Sequence, residues 1–468
     1  MTERLSPADA AFLSVEEPHT PMHVGAIMVF KKPRAGFDYE RLVRLIEQRV
    51  SLVPRYRQKI VTVPFAVSTP RWVDDDKFDV SFHVRRSALP KPGDQHALTE
   101  LAGRLMSRRL DRDRPLWEIY LVEGLAGNRF AMITKSHCAL VDSTVGMEIG
   151  EVLLDRSRIP RAEVVHEWSP ERSPSRVDLL LEVAREAVTS PLTIVDNART
   201  TLTHLRQTGD RLVDAARAIG GATRWVLDPA DASPLNVPVG GQRRIALTAH
   251  SLEDLREIKK AADCSVNDVL LAVITGALRS WMASRGKVVK REFSLRALVP
   301  VSVRALDEDA DFGSTDRVMS MAVDLPIGEE TAIVRLGRIA YATSAHGRSQ
   351  RAVPADALAS MGWFAPSTMH SLGARVTRDI TDRGANLVLT NAPGPQQPVY
   401  AAGAQLVEVY PVLPLSQKQA LAVGVTSYDG RVYFGLNADR DGMVDLEVLA
   451  SMIDDSIAEL LTAAQKGK

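Results

Sequence analysis

The pattern of apolar residues breaks once, between residues 160 and 238, and the break leaves a long half of the chain on either side. It opens with a stretch rich in proline and serine (Ser169, Pro170, Ser173, Pro174), which reads as a loop. Amphipathic helices are expected over 177–189 and 192–225, interrupted at Pro191, so the segment reads as a helical connector. Before it, Leu42, Leu45 and Ile46 predict a helix over 38–49, and Leu98, Leu101, Leu105 and Met106 another over 97–110. Strands are expected there over 24–30, 119–123 and 130–135. After the break, helices are expected over 252–262, 266–284 and 446–464. Strands are expected over 245–250, 293–303, 318–325, 386–390, 405–411, 421–427 and 432–438. Strands and helices mixed without strict alternation point to layered α/β domains rather than a doubly wound sheet. The expected division is a domain at 1–165, a connector at 166–240 and a domain at 241–468.

Charge narrows the function classes. Lys+Arg and Asp+Glu both total 58, so net charge gives no reason to expect a nucleic acid partner. Only two cysteines occur, Cys138 and Cys264, which fits a reducing compartment and excludes a disulfide framework or a cysteine-rich zinc site. No cluster has metal-ligand spacing and no glycine-rich dinucleotide fingerprint is present, so no metal and no bound organic cofactor are expected. Residues 1–11 lack the apolar stretch of a secretory signal, and no run approaches the roughly 18–20 apolar residues that span a bilayer. The expected location is cytoplasmic, either free or peripheral to a membrane or lipid inclusions.

The segment that carries chemistry is Lys135-Ser-His-Cys-Ala-Leu-Val-Asp-Ser143, which follows an apolar strand. A histidine at a strand exit can take the proton of an alcohol while that alcohol attacks a thioester. An aspartate five residues later, Asp142, would organise the turn so that the base is held in fixed geometry. On spacing alone, a histidine packed at a strand end beside a turn aspartate fits equally well.

The wider chain resembles the bacterial wax ester synthase/diacylglycerol acyltransferase family almost end to end. Leu5-Ser-Pro-Ala-Asp-Ala-Ala-Phe-Leu13, Glu16 and Pro21-Met-His-Val-Gly25 are similar to the family's N-terminal signature. Arg71-Trp-Val-Asp74, Leu110-Asp-Arg112 and Arg114-Pro-Leu-Trp-Glu118 follow in the family's order. Beyond the connector come Ser233-Pro-Leu-Asn236, Val266-Asn-Asp-Val-Leu-Leu-Ala272, Leu298-Val-Pro-Val-Ser-Val-Arg304 and Thr390-Asn-Ala-Pro-Gly-Pro395. The resemblance implies two domains like those of CoA-dependent acyltransferases (chloramphenicol acetyltransferase-like), with mixed sheets and an active site in a channel between them. It also implies acyl-CoA as the donor and diacylglycerol or a long-chain alcohol as the hydroxyl acceptor.

The family motif His-His-x-x-x-Asp-Gly, whose second histidine is the general base, here reads His137-Cys-Ala-Leu-Val-Asp-Ser143. His137 and Asp142 keep the pattern, Cys138 stands at the base position, and Ser143 replaces the glycine. Neighbouring residues on an extended strand point to opposite sides, so His137 does not simply take over the role of its neighbour. A thiol with a pKa near 8.5 is a poor base unless its surroundings lower it. Serine makes costlier a turn conformation that glycine adopts freely. A milder departure is Asp316, where the family pattern suggests asparagine.

Three readings of Cys138 follow: a nucleophile that carries the acyl group as a thioester, a bystander to weak turnover sustained by positioning, or the mark of a member that binds lipid or acyl-CoA without turnover. A buried cysteine also serves simply as a small apolar residue. A transferase using a different acceptor on the same fold is a further alternative.

Supporting residues carry paired readings. Glu16 matches an acid that the resemblance places near the catalytic histidine, or is a solvated loop carboxylate. Asn267 and Asp268 follow Ser265 at a helix start, where capping is the simplest role; the resemblance adds a place in the channel. Asn391 lies in a proline-fixed turn that helps shape the tunnel or is ordinary loop chemistry. The arginines Arg104, Arg108, Arg109, Arg112 and Arg114 read as a solvated face, with a CoA phosphate contact as the alternative. The connector either docks on the domains or lies on a membrane or lipid droplet. Replacing residues 177–225 by a flexible linker separates the two: liposome binding is lost only in the second case.

Overall fold

The computed structural model describes residues 3–5, 7–64, 69–141, 153–161, 168–175, 177–179, 181, 230–287, 289–303, 317–349 and 384–466. Of the expected connector helices, only residues 177–179 and 181 are described, and they are helical with Leu179 buried; the rest, with Asp142, Ser143 and Asp316, lie outside the described residues. The first half supplies strands β1 (Glu3–Arg4), β2 (His23–Lys31), β3 (Gln58–Val61), β4 (Arg71–Asp74), β5 (Val84–Ala88), β6 (Trp117–Leu125) and β7 (Arg129–His137). Its helices are α1 (Pro7–Val15), α2 (Tyr39–Val50), α3 (Val80–His83), α4 (Gln95–Ser107) and α5 (Cys138–Val141). The second half supplies β8 (Arg243–Ser251), β9 (Leu295–Val303), β10 (Arg317–Leu325), β11 (Leu387–Pro393), β12 (Tyr400–Ala401), β13 (Ala404–Val412), β14 (Leu421–Tyr428) and β15 (Arg431–Asp439). Its helices are α6 (Leu252–Ala262), α7 (Val266–Ser284), α8 (Ala332–Ser349) and α9 (Leu446–Lys466).

Two six-stranded mixed sheets organise these elements. One has the order β12-β13-β2-β7-β6-β5 and the other β10-β9-β11-β14-β15-β8; β1, β4 and β3 form a small third sheet. The alternation of apolar residues is absent from β7 because eight of its nine residues are buried, as expected for a central strand covered on both faces. In the second lobe α7 is the core helix, buried on nearly every side among α9, α8 and α6. Its start is fixed by a capping box in which the Ser265 and Asp268 side chains bond each other's backbone N–H groups. The helix expected to reach residue 110 stops at Ser107, since Arg108 is extended. There the buried ammonium of Lys135 on β7 donates to the carbonyls of Leu105 (3.0 Å) and Arg108, supplying a cation at the negative end of the helix.

The expected boundary at residue 241 divides the chain but not the sheets. β13 lies antiparallel to β2 in the first sheet, from Gln405 opposite Lys31 to Val412 opposite Gly25, with a bulge between Leu406 and Glu408. The same strand crosses β14 and β15 of the second sheet. Gly424 and Gly435 face each other across those two strands, and Pro411 lies on the pair. A Cβ at Gly435 would come within 1.9 Å of the Pro411 carbonyl oxygen, and one at Gly424 within 2.6 Å of the Pro411 Cβ. Around the bulge, the hydroxyls of Tyr428 and Tyr433 donate to the carbonyls of Leu406 and Val407, each at 2.9 Å. Sequence periodicity finds β13 but is silent about its partner, since the same apolar run suits either sheet.

A second seam joins α4 to β8. Gly103 lets the helix approach until a Cβ would sit 2.7 Å from the Arg243 carbonyl oxygen, and the Arg243 N–H donates to Ser107 Oγ at 2.9 Å. Gly435→Ala forces apart a crossing that has no slack and is expected to cost about 1–3 kcal/mol or more. Gly337→Ala, on an open face of α8, is expected to be neutral or stabilising. Thermal melts of the two variants check the contrast.

Candidate active site

β7 is flanked by β2 and β6, so its last residue, His137, is delivered to a fixed point at the end of the sheet. α5 begins at the next residue, and the Cys138 N–H donates to the Met22 carbonyl at 2.9 Å. Register sets His137 opposite His23 on β2, with the two rings edge to face and their centroids 6.0 Å apart. Glu16, in the loop after α1, completes the group. Its side chain is 2% exposed, with Oε1 at 3.7 Å from His137 Nε2 and 3.5 Å from His23 Nε2. The Met22 N–H donates to Oε1 at 3.3 Å, while Oε2 accepts from Arg109 Nη2 at 3.0 Å and from Nε (3.1 Å) and Nη2 of Arg112.

Hydrogen bonding assigns the His137 tautomer. The Ala139 N–H donates to Nδ1 at 3.0 Å, which leaves the proton on Nε2. That Nε2–H faces Glu16 from beyond direct hydrogen-bond range and has no hydrogen-bond partner among the described residues. Burial pushes His137 down to about 4, and the nearby Arg112 and Arg109 add to this, against the opposing pull of Glu16. His23 falls well below its ordinary value, again chiefly through burial, with Lys135 and His137 contributing. Burial would raise the Glu16 carboxyl, but His137, Arg112 and Arg109 outweigh it and hold the group below the usual carboxylate value. Near neutral pH the site therefore holds two neutral imidazoles and one carboxylate.

Cys138 is fully buried and belongs to the apolar core of the first lobe. The remaining expected residues fall in a second group. Asn391 on β11 points its Nδ2 at Asn267 Oδ1, 3.5 Å away at the start of α7. Asp268 is engaged structurally through both oxygens: Oδ2 accepts from Ser265 N–H and Oγ, and Oδ1 accepts from Thr343 Oγ1 at 2.6 Å. Capping is thus what its geometry serves. Among the described residues, no group of three or more His, Cys, Asp or Glu side chains is placed to hold a metal ion.

Sequence reasoning missed His23, Lys135 and the role of two arginines. His23 stood in a quoted signature, but only the strand register brings it to His137. Arg109 and Arg112 read as surface or phosphate-binding cations, yet their guanidinium groups hold Glu16. Glu16 itself is a buried carboxylate beside the two histidines rather than a solvated loop acid. Arg243 anchors the same loop from the second half of the chain, donating to the His19 carbonyl and, at 2.7 Å, to that of Gly240.

The fold class is that of two-domain CoA-dependent acyltransferases and condensation domains. The wax ester synthase/diacylglycerol acyltransferase of Marinobacter aquaeolei VT8 superposes with a TM-score of 0.69 at 24% identity, covering 99% of this chain and 100% of that one. The first condensation domain of the CDA synthetase gives 0.55 at 14% identity, covering 98% of this chain and 96% of that one. The family model for the wax ester synthase/diacylglycerol acyltransferase catalytic domain matches residues 5–270, and that for the WS/DGAT C-terminal domain matches 316–461. This chain belongs to the wax ester synthase/diacylglycerol acyltransferase family, and with it to the acyltransferases. A probable diacylglycerol O-acyltransferase of Mycobacterium tuberculosis, tgs1, is 33% identical over 99% of this chain and 97% of its own length. Another from the same species, tgs3, is 43% identical over 56% of this chain and 98% of its own length.

The buried imidazoles set a pH dependence. Their folded pKa values lie below the unfolded value of about 6.5, so the unfolded chain binds more protons as pH falls from there. Stability is expected to drop between pH 6.5 and about 4, where His137 itself titrates. His137→Asn keeps an acceptor for the Ala139 N–H and removes one titrating group. Its melting temperature is expected to depend less steeply on pH across that window.

Proposed function

We propose that this enzyme transfers a fatty acyl group from acyl-CoA to the hydroxyl of diacylglycerol or a long-chain alcohol, with turnover reduced or abolished by the cysteine at position 138. The hydrogen bonding at the strand exit carries the reading. Acyl transfer to an alcohol needs a base with an open lone pair at the reacting hydroxyl. In His137, Nδ1 is occupied by the Ala139 N–H and Nε2 carries a proton directed at Glu16, so the residue serves to position rather than to deprotonate. The next residue, where the family motif has its base, offers a thiol embedded in apolar core. Glu16, fixed by Arg109 and Arg112, would orient the imidazole pair and stabilise positive charge arising beside it.

Donor and acceptor follow from the family, whose relatives carry diacylglycerol O-acyltransferase names. Asn267 and Asn391 are proposed to line the channel, and Asp142 to organise the turn after α5. Contact with a membrane or lipid inclusion is part of the same proposal, because the acceptor is apolar. No single helix among the described residues is long and apolar enough to cross a membrane. The α6–α7 pair has the composition, but it is bent by 102° and α7 is buried in its own lobe. Burial of Cys138 favours one second reading, a homologue that binds lipid or acyl-CoA without turnover.

CoA release from palmitoyl-CoA and diolein distinguishes these readings in wild type, Cys138→His and Cys138→Ala. The expected result is slow or absent wild-type turnover and a gain of about a hundredfold or more in Cys138→His, the worth of a positioned base. An active wild type silenced by Cys138→Ala would instead make the thiol a nucleophile. Silence of all three variants, with acyl-CoA still bound, would select the binding homologue.

A further inference from the structure

On the far side of α4 from the second lobe, the helix and the edge strand β5 border an open pocket of about 340 Å³. Arg85, Arg86, Arg104 and Arg108 line it, together with Ser87 and Tyr120. Arg85 pairs with Glu118 at 3.1 Å and Arg86 with Glu123 at 2.5 Å. Neither Arg104 nor Arg108 has a carboxylate partner among the described residues, so two guanidinium charges are left over. The Lys135 ammonium lies just behind this wall. It is lowered to about 8, mainly by burial, with Glu118 pulling the other way and Arg85 and Arg108 adding their repulsion. Arg104 and Arg108 are exposed, so the positive charge lines a concavity that opens to solvent.

Arginine forks match the oxygens of a phosphoryl group, and Arg104, in the last turn of α4, and Arg108, the extended residue that caps the helix, both line this pocket, where a single dianion could be shared between them. The aliphatic walls of Leu101 and Leu105 beside them leave room for the carbon skeleton of an ester. We propose that this pocket binds the phosphoryl group of a phosphate ester, held chiefly by Arg104 and Arg108. The group has two sources of the same chemistry, a soluble phosphate ester or diphosphate and the headgroup of an anionic phospholipid. The proposal does not depend on the acyl-transfer reading, because binding alone tests it.

Calorimetric titration with inorganic pyrophosphate and co-sedimentation with phosphatidylcholine vesicles containing phosphatidic acid provide the two arms. The full-length protein is compared with Arg104→Ala/Arg108→Ala, with the charge-keeping Arg104→Lys/Arg108→Lys, and with Arg256→Ala. The last removes the same kind of charge from an exposed site on α6. The double alanine variant is expected to lose about tenfold or more in affinity, lysine to restore part of it, and Arg256→Ala to change nothing. Pyrophosphate binding without vesicle binding assigns a soluble ligand; vesicle binding that pyrophosphate displaces assigns a headgroup. Failure of both ligands to bind, or equal loss in Arg256→Ala, would overturn the proposal.

Discussion

Pro411 resting on the Gly424–Gly435 pair is the contact through which the two sheets become one object. β13 gives its backbone hydrogen bonds to the first sheet and its face to the second, so neither sheet can shift without moving the other. A strand that crosses another sheet at this distance leaves no volume for any side chain, and glycine is the one residue that supplies none. The bulge beside the crossing frees carbonyls that burial would make costly, and Tyr428 and Tyr433 from the second sheet satisfy them. Those two tyrosines belong to the apolar core of the first lobe although their strands belong to the other sheet. Packing and hydrogen bonding thus tie the lobes together at the level of single residues.

The strand exit inherits that rigidity. His137 is held by the β2–β7 register, Glu16 by two arginines, and the loop between them by Arg243 reaching across from the second half. The departures from the family pattern are Cys138, Ser143 and, more mildly, Asp316, while His137, His23 and Glu16 stand together at the strand exit. Charge at the site is economical: one carboxylate, kept ionised by cations that are themselves partly exposed, faces two imidazoles that burial keeps neutral. A base introduced beside His137 would enter surroundings already arranged around an imidazole.

Much of this was legible in the sequence, and the residues show where legibility ended. The helices over 252–262 and 266–284 and the strands from 421 onward declare themselves through caps and apolar runs, because those are local signals. Catalytic interest in His137 and Glu16 came from motifs whose order is linear and therefore readable. The end of α4 at Ser107 was not readable, since it depends on Lys135 arriving from β7. His23 beside His137 required a register, and the allegiance of β13 required knowing which of two apolar faces would accept it. The roles of Arg109 and Arg112 were hidden for the same reason: a guanidinium at the surface and one on a buried carboxylate look alike until the chain is folded. The resemblance gave Asn267 and Asp268 a place in the channel and Asn391 a turn that shapes it; the structure pairs Asn267 with Asn391 and gives Asp268 to helix capping.

The return of β13 also governs the order in which the molecule can be completed. During synthesis β2 emerges hundreds of residues before its neighbour, and until residues 404–412 appear it presents an open edge of backbone donors and acceptors. The first lobe is therefore born unfinished, carrying an unpaired strand and a core that still lacks Tyr428 and Tyr433. Pairing over so long a separation carries a large closure entropy that only the last quarter of the chain can offset. Until then the open edge of β2 is the part of the nascent chain most exposed to pairing with other strands.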